Sequence, residues 1–384
     1  MNLLIDFVSL CRKNGAAEYL RRVIDELLST PHDGVTLYGV YDSSRGIAYD
    51  DMQPDKMKTR GIMLVDMAGR GLLKVIEEGA IDRFFIGCSQ VLSEYPEVEN
   101  ITCEVICVPH DLSFEELQRE DLDIYMRVQN KSFKSFVYWL LFKMQGGRKR
   151  ACFILPIANL MKKNDKVMLI AVSEYTRQSL IYTYGIDESR ICVLYSPERI
   201  YNDAASAGNV SDDVARIVAT GKKILLLLGT QHHTKNTRKA LHAFGKFHES
   251  HDDYILVSAG RQISPVCAGH YSLGFLTDDD LRYLYENCHA LIYPTLFEGF
   301  GYPPIEAMHY GKPVLASNIG PVREVLADSP IYFSPLYETD VFAAMSTLAT
   351  ADYKMLSSRS MERYAVVRER QQKDLHELLS LLLK

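Results

Sequence analysis

Two glutamates flank a glycine-containing loop in the segment Thr295–Met308, and their placement suits ligand binding. An apolar strand candidate ends before Glu298, then Gly299 and Gly301 follow, and a helix candidate carries Glu306. Glycines let backbone N–H groups approach a ligand closely, and the start of a helix attracts anions. Carboxylates beside such an anion site, at the carboxyl edge of an open parallel sheet, are suited to accept hydrogen bonds from sugar hydroxyls. The alternative is a plain helix start whose acids favour the helix dipole.

A lysine follows a second strand candidate, in the run Gly229–Asn236. This run approaches the phosphate-binding pattern Gly-x-x-x-x-Gly-Lys-Ser/Thr. Thr234 stands in place of the second glycine, and Asn236 in place of the hydroxyl that would bind Mg²⁺, so we exclude an NTPase. Lys235, beside a strand-to-helix turn, remains able to neutralise a diphosphate. The alternative is a solvated lysine at a helix start.

The first half of the chain offers candidates at two strand ends. His110 follows a strand candidate that ends near Cys107, from which a histidine could reach a cleft between domains. Gly15, in the turn Asn14–Ala17, could present backbone N–H groups to a phosphate or an acceptor. A loop histidine without a role and a plain tight turn are the alternatives. No Gly-x-Gly-x-x-Gly follows any strand, which disfavours an NAD(P) site.

Patterns typical of metal and disulfide sites are weak. Asp278–Asp280 are three consecutive acids, but Thr277 with Asp280 is better interpreted as a helix cap. We therefore expect no metal. The eight cysteines form no Cys-x-x-Cys pair and are dispersed, which favours a reducing cytosol over a secreted scaffold.

Composition indicates two folded domains. The chain has 384 residues, 47% of them apolar, and a net charge of -6, which excludes general disorder and a surface that grips nucleic acid everywhere. The first ten residues include Asp6 and lack a basic segment, so we expect a first strand, not a signal peptide. No run is apolar enough to predict a transmembrane helix.

Aliphatic strand candidates alternate with amphipathic helix candidates in both halves, which predicts parallel sheets covered by helices. The first half carries the strand candidates Leu3–Val8, Phe84–Gly87, Cys103–Val108, Val167–Val172 and Ile191–Tyr195, and a helix candidate at Ala16–Leu28 with Leu20, Val23, Ile24 and Leu27 on one face. The second half carries five strand candidates: Ile224–Leu228, Tyr254–Ser258, Ala290–Tyr293, Pro313–Ala316 and Ile331–Phe333. A linker is predicted at Ser196–Ser211, which contains a run of small and polar residues. After about Asp340 the chain is predicted to be helical, and its apolar end, Leu378–Leu383, must pack against another part of the protein.

A basic amphipathic segment spans Arg127–Arg150. It carries seven Lys and Arg side chains and no acid, with apolar residues at helical spacing around Trp139. Such a helix could lie on an anionic membrane surface. The alternative, which we favour, is a helix whose apolar face is part of the domain core.

These motifs resemble the retaining glycosyltransferases of family 4 (glycosyltransferase group 1), which have the GT-B fold. The resemblance covers about Lys223–Pro335, and the first half matches only loosely. It is carried by the following matches: Glu298-x7-Glu306, Gly299-Phe-Gly-x-Pro303, Glu306-Ala-Met308, Gly311-Lys-Pro-Val314, Asn318-x-Gly320-x-x-x-Glu324-Val325 and Gly274–Leu281. One departure is Thr230, where the family often has arginine, with Arg238 or Arg261 as candidate substitutes.

The resemblance implies a fold and an outline of domains. Two Rossmann-like α/β/α domains would face a cleft, with an acceptor-binding domain at 1–200 and a nucleotide-sugar domain at 201–361. A final helix at 362–384 would cross back onto the first domain, burying Leu378, Leu381 and Leu382.

The resemblance also implies roles for the candidate residues. Glu298 would bind hydroxyls of the donor sugar, Glu306 the ribose, and Lys235 the leaving diphosphate. His110 would contact the sugar near its 6-position from the opposite domain. The catalytic candidates are therefore His110 and Glu298, and the donor-binding candidates are Gly15, Lys235, Glu298, Gly299, Phe300, Gly301 and Glu306.

The implied activity is transfer of a hexose from GDP-, UDP- or dTDP-hexose to a glycan or lipid-linked acceptor, with retention of anomeric configuration. The setting would be cell-surface polysaccharide or glycoconjugate biosynthesis, in the cytoplasm or on the cytoplasmic membrane face through 127–150. Neither a metal, a further cofactor nor nucleic acid is expected. Two alternatives remain: a nucleotide-sugar epimerase or hydrolase of the same fold, and a catalytically silent partner subunit.

Overall fold

The strands fall into two separate parallel sheets in the computed structural model. The structure describes residues 1–95, 97–112, 155–199, 210–230, 233–263 and 267–384. The chain divides into two units: the first is Met1–Arg199 together with Arg370–Lys384, and the second is Ile200–Glu369. The predicted segment 127–150 lies outside the described residues.

The first unit has a seven-stranded sheet in the order β3-β2-β1-β4-β5-β6-β7, with every neighbouring pair parallel. Its strands are β1 (Asn2–Asp6), β2 (Thr36–Tyr41), β3 (Ile62–Asp66), β4 (Arg83–Ile86), β5 (Glu104–Cys107), β6 (Val167–Ala171) and β7 (Ile191–Val193). Its helices are α1 (Gly15–Ser29), α2 (Pro54–Thr59), α3 (Leu72–Glu78), α4 (Leu155–Lys163) and α5 (Glu174–Tyr184).

The second unit has a six-stranded parallel sheet in the order β10-β9-β8-β11-β12-β13. Its strands are β8 (Lys223–Leu228), β9 (Tyr254–Ala259), β10 (His270–Ser272), β11 (Ala290–Tyr293), β12 (Val314–Ser317) and β13 (Ile331–Phe333). Its helices are α6 (Asp212–Val218), α7 (Thr237–His248), α8 (Asp278–Asn287), α9 (Tyr302–His309), α10 (Gly320–Leu326) and α11 (Glu338–Thr350).

The helices follow local chemistry in the sequence. Asn14 caps α1, since its side chain accepts a hydrogen bond from the Ala17 N–H at 2.9 Å. Thr277 caps α8 by accepting from the Asp280 N–H at 3.1 Å, as predicted. The predicted apolar face of α1 is buried at Leu20, Val23, Ile24 and Leu27. Helices α1 and α8 therefore begin at side-chain caps, and α1 buries an apolar stripe.

The last helix, α12 (Tyr353–Leu383), leaves the second unit and ends in the first. Its final turns bury Leu378 and Leu382 with 1% and 0% exposure, whereas Leu381 is only partly buried, contrary to the expectation for that residue. Polar contacts fix this end to the first unit. Asp374 accepts from the Tyr195 N–H at 2.8 Å, and Gln371 donates to the Ser196 carbonyl at 2.6 Å. The predicted crossing of the final helix is confirmed.

The structure also corrects several expectations. The second sheet has six strands instead of five, because β10 is a short strand at its edge. The first predicted strand ends at Asp6, and Val8 instead begins a short 3₁₀ turn. None of the helices that the structure describes is both long and apolar enough to span a membrane.

Candidate active site

The strongest candidates lie where β11 ends and α9 begins, at the carboxyl edge of the second sheet. Gly301 caps α9 with a φ of 95°, a left-handed conformation that favours glycine. A Cβ at Gly301 would lie 3.3 Å from the Tyr293 hydroxyl oxygen, so the loop passes close to that ring. Gly299 and Phe300 are buried. The helix begins at Tyr302, so Glu306 is its fifth residue, at the start of the second turn.

An ion pair occupies this edge. The Lys235 ammonium donates to Glu298 Oε1, and it also lies 3.4 Å from the Tyr293 hydroxyl. Thr295, which is fully buried, donates from Oγ1 to the same Glu298 oxygen at 2.7 Å. The Lys235 and Glu298 side chains keep 20% and 12% exposure, so the pair is fixed in place and still reaches solvent. The structure thus brings two residues together that the sequence places in different motifs.

Tyr293 lies beneath this pair. Burial raises the pKa of its phenol well above the usual value, and the nearby Glu298 carboxylate raises that pKa further. The Lys235 ammonium lies 5.2 Å from the centre of the ring, within cation–π range. Tyr293 therefore stays a neutral phenol that supports the lysine. Neither Tyr293 nor Thr295 stands out in the sequence as a site residue, although both lie at the end of a predicted strand, where ligand sites concentrate.

The turn after β8 carries Lys235 on one side. A Cβ at Gly229, whose φ is 83°, would lie 3.2 Å from Lys235 Cγ, so the lysine stem packs over this glycine. On the other side, Thr230 donates from Oγ1 to the Arg261 carbonyl at 2.7 Å. Asn236 is fully buried and donates to the Pro335 carbonyl at 2.8 Å, which makes it structural in this fold.

Glu306 is 7% exposed and accepts a hydrogen bond from the Tyr285 hydroxyl at 2.7 Å. Tyr285 also stacks on Tyr310, with ring centroids 5.9 Å apart. The carboxylate is therefore oriented from α8 while its own helix, α9, supplies the backbone. An oriented acceptor of this kind suits a pair of ligand hydroxyls. No motif in the sequence indicates Tyr285 as the partner of Glu306.

His110 lies in the first unit, beyond the end of β5. Its Nε2 lies 2.8 Å from the Gly87 carbonyl, and because a carbonyl only accepts, Nε2 carries the proton. Burial lowers the pKa of His110, so its ring is neutral near pH 7 and Nδ1 holds a lone pair. The Tyr19 ring on α1 contacts the imidazole edge-on at 5.0 Å. His110 is thus fixed as a hydrogen-bond acceptor.

Gly15 occupies the first position of α1, where Asn14 already takes the Ala17 N–H. Asp6, the last residue of β1, is a polar side chain that the sequence did not indicate as a site residue. It is fully buried, and burial raises the pKa of its carboxyl to about 6. It accepts hydrogen bonds from Ser9, from the Val8 N–H and from Tyr95. An acid that ends an apolar strand is the pattern that could have indicated it.

Within the part of the chain that the structure describes, no group of three or more His, Cys, Asp or Glu side chains could hold a metal ion. The three consecutive aspartates illustrate why, since Asp280 is 5% exposed and accepts from the Ser211 N–H at 2.8 Å. This carboxylate ties the start of the second unit to α8.

Residues 212–334 match the family model for glycosyl transferases group 1. The serotype-specific mannosyltransferase WbdA of Escherichia coli is 40% identical over 94 residues, which are 24% of this chain and 12% of WbdA. The O-antigen chain mannosyltransferase RfbU of Salmonella typhimurium is 27% identical over 180 residues, 44% of this chain and 46% of RfbU. The chain therefore spans less than half the length of these curated relatives.

One solved structure extends the likeness to the whole fold. HepE from Anabaena, in complex with UDP and glucose, superposes with a TM-score of 0.66 and 14% sequence identity, covering 100% of this chain and 99% of HepE. At this identity the likeness concerns the fold alone. Together with the two parallel sheets, it shows a two-domain α/β fold of the GT-B kind, and the sequence similarity to glycosyl transferases group 1 covers residues 212–334, in the second unit.

Proposed function

We propose that the protein transfers a hexose, with mannose as the first choice, from a nucleotide sugar to a glycan or lipid-linked acceptor. The observation that carries the proposal is the Lys235–Glu298 ion pair beside the Gly299–Gly301 loop. The pair offers a cation for a leaving diphosphate and a carboxylate for sugar hydroxyls at one point of the sheet edge. The choice of mannose, and of surface polysaccharide synthesis, is supported by the names of the relatives, which are O-antigen and serotype mannosyltransferases.

The donor would bind in the second unit. Glu306, oriented by Tyr285, accepts from the ribose hydroxyls. Lys235 and the start of α9 stabilise the diphosphate, since a cation and a helix N-terminus both attract negative charge. Glu298, held by Thr295, accepts from hydroxyls of the sugar. In the first unit, His110 offers Nδ1 as an acceptor for a ligand hydroxyl.

The reaction would retain the anomeric configuration. The bond between the anomeric carbon and the diphosphate oxygen breaks, and its electron pair stays on that oxygen. The acceptor hydroxyl forms the new bond on the same face of the sugar. Its proton passes to the departing diphosphate. The protein's part is to hold the donor and the acceptor together and to stabilise the negative charge on the diphosphate. This electrostatic stabilisation is the largest contribution to catalysis in many enzymes.

We propose that no metal is required, because Lys235 and the backbone donors of the loop are placed to stabilise the diphosphate charge. Activity should therefore survive EDTA. Complete loss of activity with EDTA, restored by Mg²⁺ or Mn²⁺, would contradict this part of the proposal. We also place the enzyme in the cytoplasm, where the free thiols of the seven described cysteines would remain reduced.

The decisive experiment screens GDP-mannose, UDP-glucose and dTDP-glucose by thermal shift, since a ligand that binds the native state raises the unfolding temperature. The best binder is then incubated with and without a glycan acceptor, and the released nucleotide and the anomeric product are followed. Transfer with retention is expected. Release without an acceptor would favour a hydrolase, a changed donor sugar an epimerase, and binding without turnover a silent subunit.

A further inference from the structure

The candidate diphosphate site has a shortage of positive charge. The Lys235 ammonium is already paired with the Glu298 carboxylate, so the two together are neutral. A departing nucleoside diphosphate carries more than one negative charge. A neutral pair stabilises such a group less than a site with an additional cation would. The charges at this edge therefore call for a second cation near Lys235.

Three other basic side chains belong to this part of the second unit. Lys239 donates its ammonium to the Leu336 carbonyl, which draws it toward the loop after β13. Arg238 is partly buried in the first turn of α7. Arg261 is exposed and lies two residues beyond the end of β9, the strand that pairs with β8.

Hydrogen bonds connect the backbone of Arg261 to the turn that carries Lys235. The N–H groups of Gly229 and Thr230 both donate to the Ala259 carbonyl, at 3.0 and 3.3 Å. The Thr230 hydroxyl then donates to the Arg261 carbonyl at 2.7 Å. The turn Gly229–Thr230 thus contacts both basic residues: the Lys235 stem packs over Gly229, and Thr230 binds the Arg261 backbone.

The other side of the Arg261 segment is fixed as well. Gly260 has a φ of 127°, a conformation that favours glycine, and its N–H donates to the Gly274 carbonyl at 3.1 Å. The backbone beneath Arg261 is thus held at two points. Among the described residues its guanidinium has no hydrogen bond or ion pair, whereas Arg323 of the same unit lies 3.4 Å from Asp328. A fixed backbone with an uncommitted guanidinium is suited to bind an anion in two places at once.

We propose that Arg261 is the second cation of the diphosphate site and that Thr230 is the residue that positions it. The inference rests on the proposed function, since it assumes a nucleoside diphosphate as the leaving group. The guanidinium donates hydrogen bonds to phosphate oxygens and transfers no proton. Thr230 acts only through Arg261, by holding its carbonyl.

The test compares nucleoside diphosphate binding in wild type and Arg261→Gln, using whichever of GDP, UDP and dTDP binds the wild type most tightly. We expect the Kd of the diphosphate to rise about 10- to 100-fold, the effect of losing a charge-assisted contact. The Kd of the parent nucleoside, which lacks phosphate, should not change. Arg261→Lys should recover part of the loss, and Arg216→Gln, which removes an exposed arginine elsewhere in the unit, should have no effect.

A second variant tests the positioning role. Thr230→Val keeps the shape of the side chain and removes its hydroxyl, so we expect a smaller rise in the diphosphate Kd, about 3- to 10-fold. In the Arg261→Gln background the same change should add nothing, because the two residues act in series. Equal effects of Thr230→Val in both backgrounds would overturn the positioning role.

Two outcomes separate this inference from the proposed function. If wild type binds a diphosphate and Arg261→Gln binds it equally well, or if Arg238→Gln is the variant that loses affinity, the inference is wrong and the proposed function stands. If wild type binds none of the three diphosphates, both are wrong. Thermal unfolding of each variant confirms that the exposed substitutions leave the fold intact.

Discussion

The two units place different kinds of polar group at the ends of their strands. In the second unit the edge holds an ionised pair, Lys235 and Glu298, that still reaches solvent. In the first unit burial favours the neutral forms, raising the pKa of Asp6 and lowering that of His110. The strand ends of the second sheet are therefore electrostatically suited to a charged ligand. Those of the first sheet are suited to neutral hydroxyls and to hydrogen bonds within the unit itself. Two sheets of the same Rossmann-like architecture therefore suit different ligands, because different side chains lie at the ends of their strands.

The units also differ in how the chain completes them. The second is one continuous segment, whereas the first requires Arg370–Lys384 from the end of the chain. We expect Leu378→Ala, at a site with 1% exposure, to destabilise the first unit by about 2–5 kcal/mol and to leave the second nearly unchanged. Hydrogen exchange measured strand by strand tests this. Leu336→Ala, at a site with 59% exposure, is the control. Faster exchange in both units alike would contradict the division.

Removing the cation should affect chemistry more than folding. Lys235→Ala is expected to lower kcat by about 100- to 1000-fold, as the loss of a preorganised charge at a leaving group does. Its unfolding temperature should change little, because the side chain is partly exposed. Lys246→Ala, on the helix α7 that follows Lys235 and paired with Glu249, is the matched control in a nucleotide-release assay. Full activity in Lys235→Ala would contradict the view that the second unit, unlike the first, binds a charged ligand at its strand ends.

The buried carboxyl of Asp6 makes the stability of the first unit depend on pH, and the sign of this dependence follows from its raised pKa. Its pKa in the folded protein is about 6 against an ordinary value of 3.8, so its stabilising contribution is complete below pH 3.8 and is lost as the pH rises through 6. Asparagine does not ionise. The stability of Asp6→Asn relative to wild type should therefore rise by about 2–3 kcal/mol between pH 4 and pH 7.

Denaturant unfolding of the first unit at pH 4, 5.5 and 7 measures this change. Asp66→Asn is the control, because hydrogen bonds with Ser43 and Ala68 lower the pKa of Asp66 at the end of β3. Its contribution is present above pH 3.8 and is lost only as the pH falls through the lowered pKa, so it should stay nearly flat over this range. A flat curve for Asp6→Asn as well would show that its carboxyl is not held neutral.

The smallest expected effect concerns the ribose contact in the second unit. Glu306→Ala should weaken binding of the nucleoside diphosphate by roughly 1–3 kcal/mol, since a hydroxyl pair loses its acceptor. Tyr285→Phe, which removes only the orienting hydroxyl, should weaken it less. Isothermal titration measures both. An unchanged Kd for Glu306→Ala would withdraw the assigned role.

Much of the fold could be predicted from continuous aliphatic runs. Strand β11 was predicted with its observed limits, because a strand buried on both faces in a parallel sheet is apolar throughout. Strand β2 was missed because Gly39 interrupts its pattern. A Cβ at that position would lie 2.3 Å from a Leu64 methyl group and 2.7 Å from the Phe7 ring, so the glycine is required by close packing. No local pattern shows such an approach between distant segments.

The candidate site could be predicted only as separate motifs. Lys235 and Glu298 each stood out locally, but they lie 63 residues apart and meet only because β8 and β11 are neighbours in the sheet. Tyr285 and Tyr293 gave no local indication, since an aromatic residue in a helix or a strand is usually part of the core. Contacts of this kind depend on the order of strands, which a linear pattern does not contain.

The crossing of α12 has a consequence for the order in which the protein is made. A ribosome synthesises the chain from its N-terminus, so all residues of the second unit have left the ribosome before Arg370–Lys384 do. Until then the first unit lacks Leu378 and Leu382, and the Arg83 guanidinium lacks the Leu381 carbonyl that it binds in the finished protein. The half that is synthesised first is thus the half that is completed last, and its uncovered apolar surface is exposed to chaperones for the whole time that the second half takes to translate.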